Sequence, residues 1–342
     1  MPGRTPYDFY TRDFKPGLQL YSNGVMIMEH CDDFLPYCFR FVRGVVDSPD
    51  FSLNISREVL QHDRQLKAVG SYLTKQIKKE LSAMQEKEPE KYAKFWANFG
   101  KQVKYGVVDQ YGRDAELLKD LVMFEGAKEG KLMSFAEYIK AMPEKQNRIY
   151  YVSAESAARA KSLPQAEQVI DRGYDVLVFS DEVDTFVANT LREIDGKSFC
   201  NVTSDDLGIE SEEEKKEAEK KDEEYKDLTA FCKETLGDAV AEVKISRKLK
   251  NHAVLLSTQG GITFEMEKYF KEMSGTDNGM KASRVLELNT DSSAFRSLND
   301  AFKNDKEKAA KIVKIMYGQA CILAGQELDD PVEYSDLVLG NL

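Results

Sequence analysis

The chain has 342 residues, 42% of them hydrophobic, which is enough for two or three domains that each bury a core and excludes a disordered polymer. A formal net charge of −11 excludes a surface built to attract phosphate backbones, so nucleic acid is not an expected partner. No run approaches the ~20 consecutive apolar residues of a membrane span, and the opening MPGRTPYDFYTRDF lacks the apolar stretch of a signal peptide, so a cytoplasmic protein without membrane partners is expected.

Residues 18–29, LQLYSNGVMIME, predict a β-hairpin, because two β-rich runs flank an Asn23-Gly24 pair that favours the positive φ of a tight turn. A helix is expected over 33–45. From Glu58 to about Met84, apolar residues such as Val59, Leu66, Val69, Leu73, Ile77 and Leu81 recur every three or four positions, which predicts a long amphipathic helix with a break near Gly70. Further helices are expected at 89–99 and 113–124.

Residues 134–203 alternate helix and strand: helix 134–142, strand 149–154, helix 155–172, strand 174–180 and helix 181–191. That rhythm predicts a small α/β unit with a buried parallel sheet. The Gly196-Lys197-Ser198 triplet does not make a phosphate loop, since Leu191 stands where the earlier glycine belongs. Between 210 and 227 nearly every residue is charged, which reads as a solvated connector helix and a domain boundary.

The remainder predicts strands at 240–246, 253–258 and 284–289, a helix at 262–273 and terminal helices. In the helix near 307–324, Ile312, Val313, Met316, Tyr317, Ala320 and Leu323 lie on one broad apolar face, and Val332, Leu337 and Val338 follow on a last short helix. So much terminal apolar surface calls for a partner, either the domain's own sheet or a second copy.

Signatures of catalysis are missing: there is no GxSxG, no HExxH and no dinucleotide-type glycine loop. Five scattered cysteines form no CxxC pair and read as reduced core residues, and with three distant histidines no metal site is expected. One polar segment stands out, Asn54-Ile55-Ser56-Arg57-Glu58-Val59-Leu60-Gln61, at the entry to the long helix. An arginine there is able to present its fork of donors to a phosphate, or merely to pair with a carboxylate.

Residues 20–61, LYSNGVMIMEHCDDFLPYCFRFVRGVVDSPDFSLNISREVLQ, closely resemble the middle domain of the heat-shock protein 90 chaperone family. KFWANFG (94–100), RIYYVSAES (148–156), VLVFSDEVD (176–184), DGKSFCNV (195–202) and DDPVEYSDLV (329–338) follow the same family in order. The resemblance implies a fold of the α/β (α+β) class. It implies the rest of a middle-domain large subdomain at 1–86, a helical linker at 87–130, a small α/β subdomain at 131–205, a connector at 206–228 and a C-terminal dimerisation domain ending in a helix bundle at 229–342.

It also implies that Arg57 contacts the γ-phosphate of ATP, with Asn54 and Gln61 ordering the same loop. The ATP and Mg belong to an N-terminal ATPase domain without counterpart here, so this stretch alone is expected to hold no cofactor and to be no enzyme. Client proteins, unfolded or partly folded, are expected on Ile262, Met266, Tyr269 and Phe270, with a second patch at Phe186 and Asn189, although bacterial members often carry tryptophan where Phe186 stands. Homodimerisation is expected through the terminal-helix residues named above. The ending Leu-Gly-Asn-Leu lacks the acidic pentapeptide that recruits helical-repeat cochaperones, so those are not expected partners. The rival reading is a free-standing α/β adaptor that docks through its terminal helices.

Overall fold

Hairpin chemistry sets the start of the chain. In the computed structural model, which describes all residues except 1–2, 12, 32–33, 50, 52–63, 205, 210, 248, 250, 275–280 and 341–342, strands Gly17–Ser22 and Val25–Met28 pair antiparallel. Between them Asn23 and Gly24 take φ of 49° and 76°, as the Asn-Gly pair predicts. The first strand buries alternate residues Leu18, Leu20 and Ser22.

The helix expected over 33–45 does not form among its described residues. Tyr37–Phe39 make one 3₁₀ turn, and Arg43–Asp47 form a strand parallel to Gly17–Tyr21. Pro36 leads into that turn at ψ 146°, and the β-branched pair Val45-Val46 suits an extended chain.

The long helix runs over Arg64–Lys87 without a break. Gly70 serves a close approach instead, because a Cβ there would stand 2.6 Å from the Phe34 carbonyl oxygen. Val69 and Leu73 on the same helix pack on Leu18, Leu20, Cys31, Phe34 and Phe51. The next helix, Pro89–Gly112, outlasts its predicted end at 99, and its backbone leaves helical geometry only at Asp109–Tyr111. Its Phe99 stacks with Phe41 while Phe95 meets the same ring edge-on, and the Tyr92 hydroxyl donates to the Leu121 carbonyl at 2.6 Å. The expected helix 113–124 shortens to Ala115–Leu118, a 3₁₀ turn and the strand Met123–Gly126.

The chain divides into two compact units, 1–124 with 132–140 and 186–195, and 125–131 with 141–185 and 196–342. In the second, strand Arg148–Ser153 is flanked by parallel neighbours Leu177–Phe179 and Lys197–Asn201, and Glu125–Gly126 add antiparallel to Leu177–Val178. The helix expected over 155–172 is two, Ala157–Lys161 and Pro164–Asp171, because a proline ends the first and opens the second. Asp195 and Gly196, with φ of 49° and 73°, make a turn between strands Glu193–Ile194 and Lys197–Asn201, which is what the Gly-Lys-Ser triplet is for.

The charged segment forms the helix Glu212–Glu224, opened by a capping box between Ser211 and Glu214. It lies inside the second unit and is pinned there by Arg172–Glu214 at 2.7 Å and Arg247–Asp222 at 3.2 Å. A second sheet follows, with Ser283–Leu288 in the centre, parallel to Glu242–Ile245 and antiparallel to Val254–Gln259. Helices Lys226–Leu236, Ser293–Asn304 and Lys306–Leu323 close one core over it, around Leu228, Val243, Leu256, Leu286, Leu298 and Val313. Gln165 and Gln168, both buried, donate to the Leu256 and Arg247 carbonyls and join the helix Pro164–Asp171 to this sheet.

Candidate functional site

Strand Val254–Gln259 passes through Gly260, at φ 83°, into the helix Phe264–Ser274, whose first turn is held by Thr263 Oγ1 accepting from the Met266 amide at 3.3 Å. One side of this helix faces its own domain. Phe264 is buried in the core, and Glu267 accepts from the Ala282 amide and from Arg284 Nη2, each at 3.0 Å. Arg284 also lies 5.8 Å from the centre of the Phe264 ring. Positions 264 and 267 are three apart and therefore share a face.

The other side carries Met266, Tyr269 and Phe270, all half-buried, with the Tyr269 and Phe270 rings in edge contact at 5.9 Å. Ile262, just before the helix, packs against the domain core. The helix thus has a polar and aromatic anchor at Phe264 and Glu267, a half-buried sulfur and aromatic side at 266, 269 and 270, and exposed charges at Lys268, Lys271 and Glu272. Methionine and aromatic side chains there are able to adapt to irregular apolar partners. The anchor Glu267–Arg284 was not legible as such in the sequence; its one signal is that Glu267 falls three residues after Phe264.

The second predicted patch lies on the helix Asp184–Leu191, where Phe186 is half-buried and Asn189 exposed. Asn54, Arg57 and Gln61 lie outside the described residues.

The terminal helices separate the predicted dimer residues by burial. Val313, Met316 and Ala320 sit in the domain's own core, with Ile312 and Tyr317 packed against it. Leu323, Leu337 and Val338 are half-buried, and Val332 is 70% exposed. Ile322 and Leu339, absent from the sequence reading, are 45% and 65% exposed. The broad helical face is therefore mostly an inward face, and the outward apolar surface moves to the last helix, Pro331–Leu339. Asp330 caps that helix through the Val332 and Glu333 amides at 3.0 and 2.9 Å, and Lys314–Glu333, at 2.7 Å, ties it back to the preceding one.

All five cysteines are free and buried. Burial pushes the Cys38 and Cys232 thiols up to about 12, so neither supplies a thiolate near neutral pH. No cluster of three metal-holding side chains occurs among the described residues, and no helix among them is long and apolar enough to cross a membrane.

The described residues form a mixed α/β chain with three sheets and a terminal helix pair. The family model described as Hsp90 protein matches residues 1–342, and the chain belongs to the Hsp90 family. It is similar to the chaperone protein HtpG of Clostridium perfringens, 47% identical over 336 residues, which is 98% of this chain and 53% of that relative. The HtpG proteins of Bacillus subtilis and Clostridium acetobutylicum are 45% and 47% identical over the same share of this chain, covering 54% and 53% of their own lengths. The chain spans about half the length of the curated relatives it matches.

Proposed function

We propose that this chain is the client-holding and self-associating half of an ATP-driven cytoplasmic chaperone. The observation that carries the reading is the two-sided helix Phe264–Ser274. Phe264 and the Glu267–Arg284 pair anchor the helix, and Met266, Tyr269 and Phe270, all half-buried, share a different side of it. A helix pinned along one side keeps its place while half-buried methionine and aromatic side chains adjust to unlike partners. Self-association runs through the last helix, where Val332 and Leu339 stay exposed, and pairing places two such client faces in one assembly.

ATP and Mg act in the whole protein, on a separate N-terminal domain. There Arg57 reaches the γ-phosphate and Asn54 and Gln61 order its loop, so hydrolysis depends on this chain although the pocket lies elsewhere. The second client patch is Phe186 with Asn189.

The test is site-specific photocrosslinking with a benzoylphenylalanine placed at 270 or, as control, at the exposed position 272. Incubated with a chemically unfolded model protein, the 270 variant yields the crosslinked adduct and the 272 variant does not. Equal yields from both, or none from 270, would remove the client reading.

A further inference from the structure

In the first unit a cavity of about 400 Å³ opens beside the hairpin, lined by Phe14, Leu18, Leu35, Tyr37, Arg40 and Val42 among others. The Arg40 guanidinium is sandwiched among rings, 4.5 Å from the centre of Phe14, 4.6 Å from Tyr37 and 5.4 Å from Phe9. Its hydrogen bonds run to two neutral acceptors, the Tyr37 hydroxyl and, at 3.4 Å, the Phe14 carbonyl. Nε is shielded from solvent and has no hydrogen-bond partner. Among the described residues no carboxylate takes up the charge. A cation held among aromatic faces keeps some electrostatic stabilisation from the rings, but a desolvated guanidinium edge still gains most from a paired anion.

We propose that this cavity binds an organic monocarboxylate with an apolar body. The carboxylate accepts from Nη2 of Arg40 in place of the long contact to the Phe14 carbonyl. The body lies among Leu18, Leu35 and Val42. Two features select this chemistry. Arg40 is the single cation among the described lining residues, which matches one negative charge and leaves a phosphate dianion undercompensated. The side chains of Phe14, Leu18, Leu35 and Val42 offer an apolar stretch beside it, and the volume suits a small molecule rather than a peptide segment.

The probe is decanoate, titrated into the full chain with ¹³C-labelled Leu and Val methyls, with decan-1-ol and inorganic phosphate as the other arms. The expected result is saturable shifts at Leu18, Leu35 and Val42, with decanoate binding at least about tenfold more tightly than the alcohol, as a charge-assisted pair supplies. Phosphate leaves those methyls unmoved. Arg40→Gln equalises acid and alcohol, and Arg40→Lys, which keeps the charge but loses the fork, falls between. Should Arg40→Gln fail to fold, the acid-to-alcohol ratio in the unaltered chain and the lysine variant still decide. Equal affinity for acid and alcohol in the unaltered chain, non-saturating shifts, or unmoved methyls would overturn the assignment.

Discussion

Glu267 and Arg284 form an ion pair at 3.0 Å, with side chains only 18% and 20% exposed, and the same carboxylate takes the Ala282 amide. One glutamate therefore ties the helix Phe264–Ser274 to the entry of the central strand Ser283–Leu288. Removing its charge leaves Arg284 partly buried without its anion. Glu267→Gln is expected to cost about 1–3 kcal/mol. Amide hydrogen exchange within 264–274 should speed up while the sheet stays protected. Unchanged exchange along that helix would show that Phe264 alone holds it.

The Tyr334 ring lies directly on Gly318, where any Cβ would run into it. Alanine at 318 would strengthen an isolated helix by about 1 kcal/mol, yet here it must push the last helix away. Gly318→Ala is expected to weaken self-association, read as a rise in the dimer dissociation constant by sedimentation. Val332→Glu with Leu339→Glu should convert a particle of about twice 38.8 kDa into one of 38.8 kDa at micromolar concentration, with the melting temperature kept. A double variant that stays dimeric places the contact elsewhere. A variant lacking everything from Lys306 onward is expected to lose its fold rather than its dimer contact alone, because Ala309, Val313, Met316 and Ala320 belong to the domain's own core.

Glu214 sits at the capping box, where the Ser211 backbone N–H, and after it Arg172, hold its carboxyl below the usual glutamate value. A lowered folded-state value means that the stabilisation is complete above the ordinary glutamate value and is lost as pH falls through the folded one. Glu214→Gln should therefore lower stability at neutral pH, with the gap to the unaltered chain closing on acidification below about pH 4. Because the side chain is half exposed, the effect is small. Thermal melts across that range check it; a gap that widens in acid contradicts the sign.

In the whole protein, Arg57→Ala is expected to lower kcat on the order of 10²-fold while nucleotide affinity stays nearly unchanged. Steady-state turnover with a separate nucleotide titration measures both, and an unaltered kcat reduces Arg57 to a structural residue.

What the sequence made legible was local. Asn23-Gly24 announced its turn and Pro164 stood where a helix breaks, although the single helix drawn across it was too long. The apolar phase of 262, 266 and 269 picked out half-buried positions, of which Ile262 packs against the domain core. What it hid was pairing at a distance. Residues 43–45 read as the end of a helix because nothing local reveals that Gly17–Tyr21 lie alongside as a parallel partner. The stripe 312–323 looked like an interface because periodicity marks an apolar face without saying what covers it, and the sheet of the same domain covers most of it. The Glu267–Arg284 pair spans 17 residues and leaves no periodic trace.

The client face is tested most directly by aggregation suppression with the Met266→Ser, Phe270→Ser variant. Both side chains are half-buried, so their loss should shift stability by about 1 kcal/mol, whereas emptying a core position of this kind costs several. The account predicts that the variant melts within a few degrees of the unaltered chain and loses most of its ability to keep a heat-denatured model protein in solution, as followed by light scattering. Full suppression by a variant of unchanged melting temperature would contradict it.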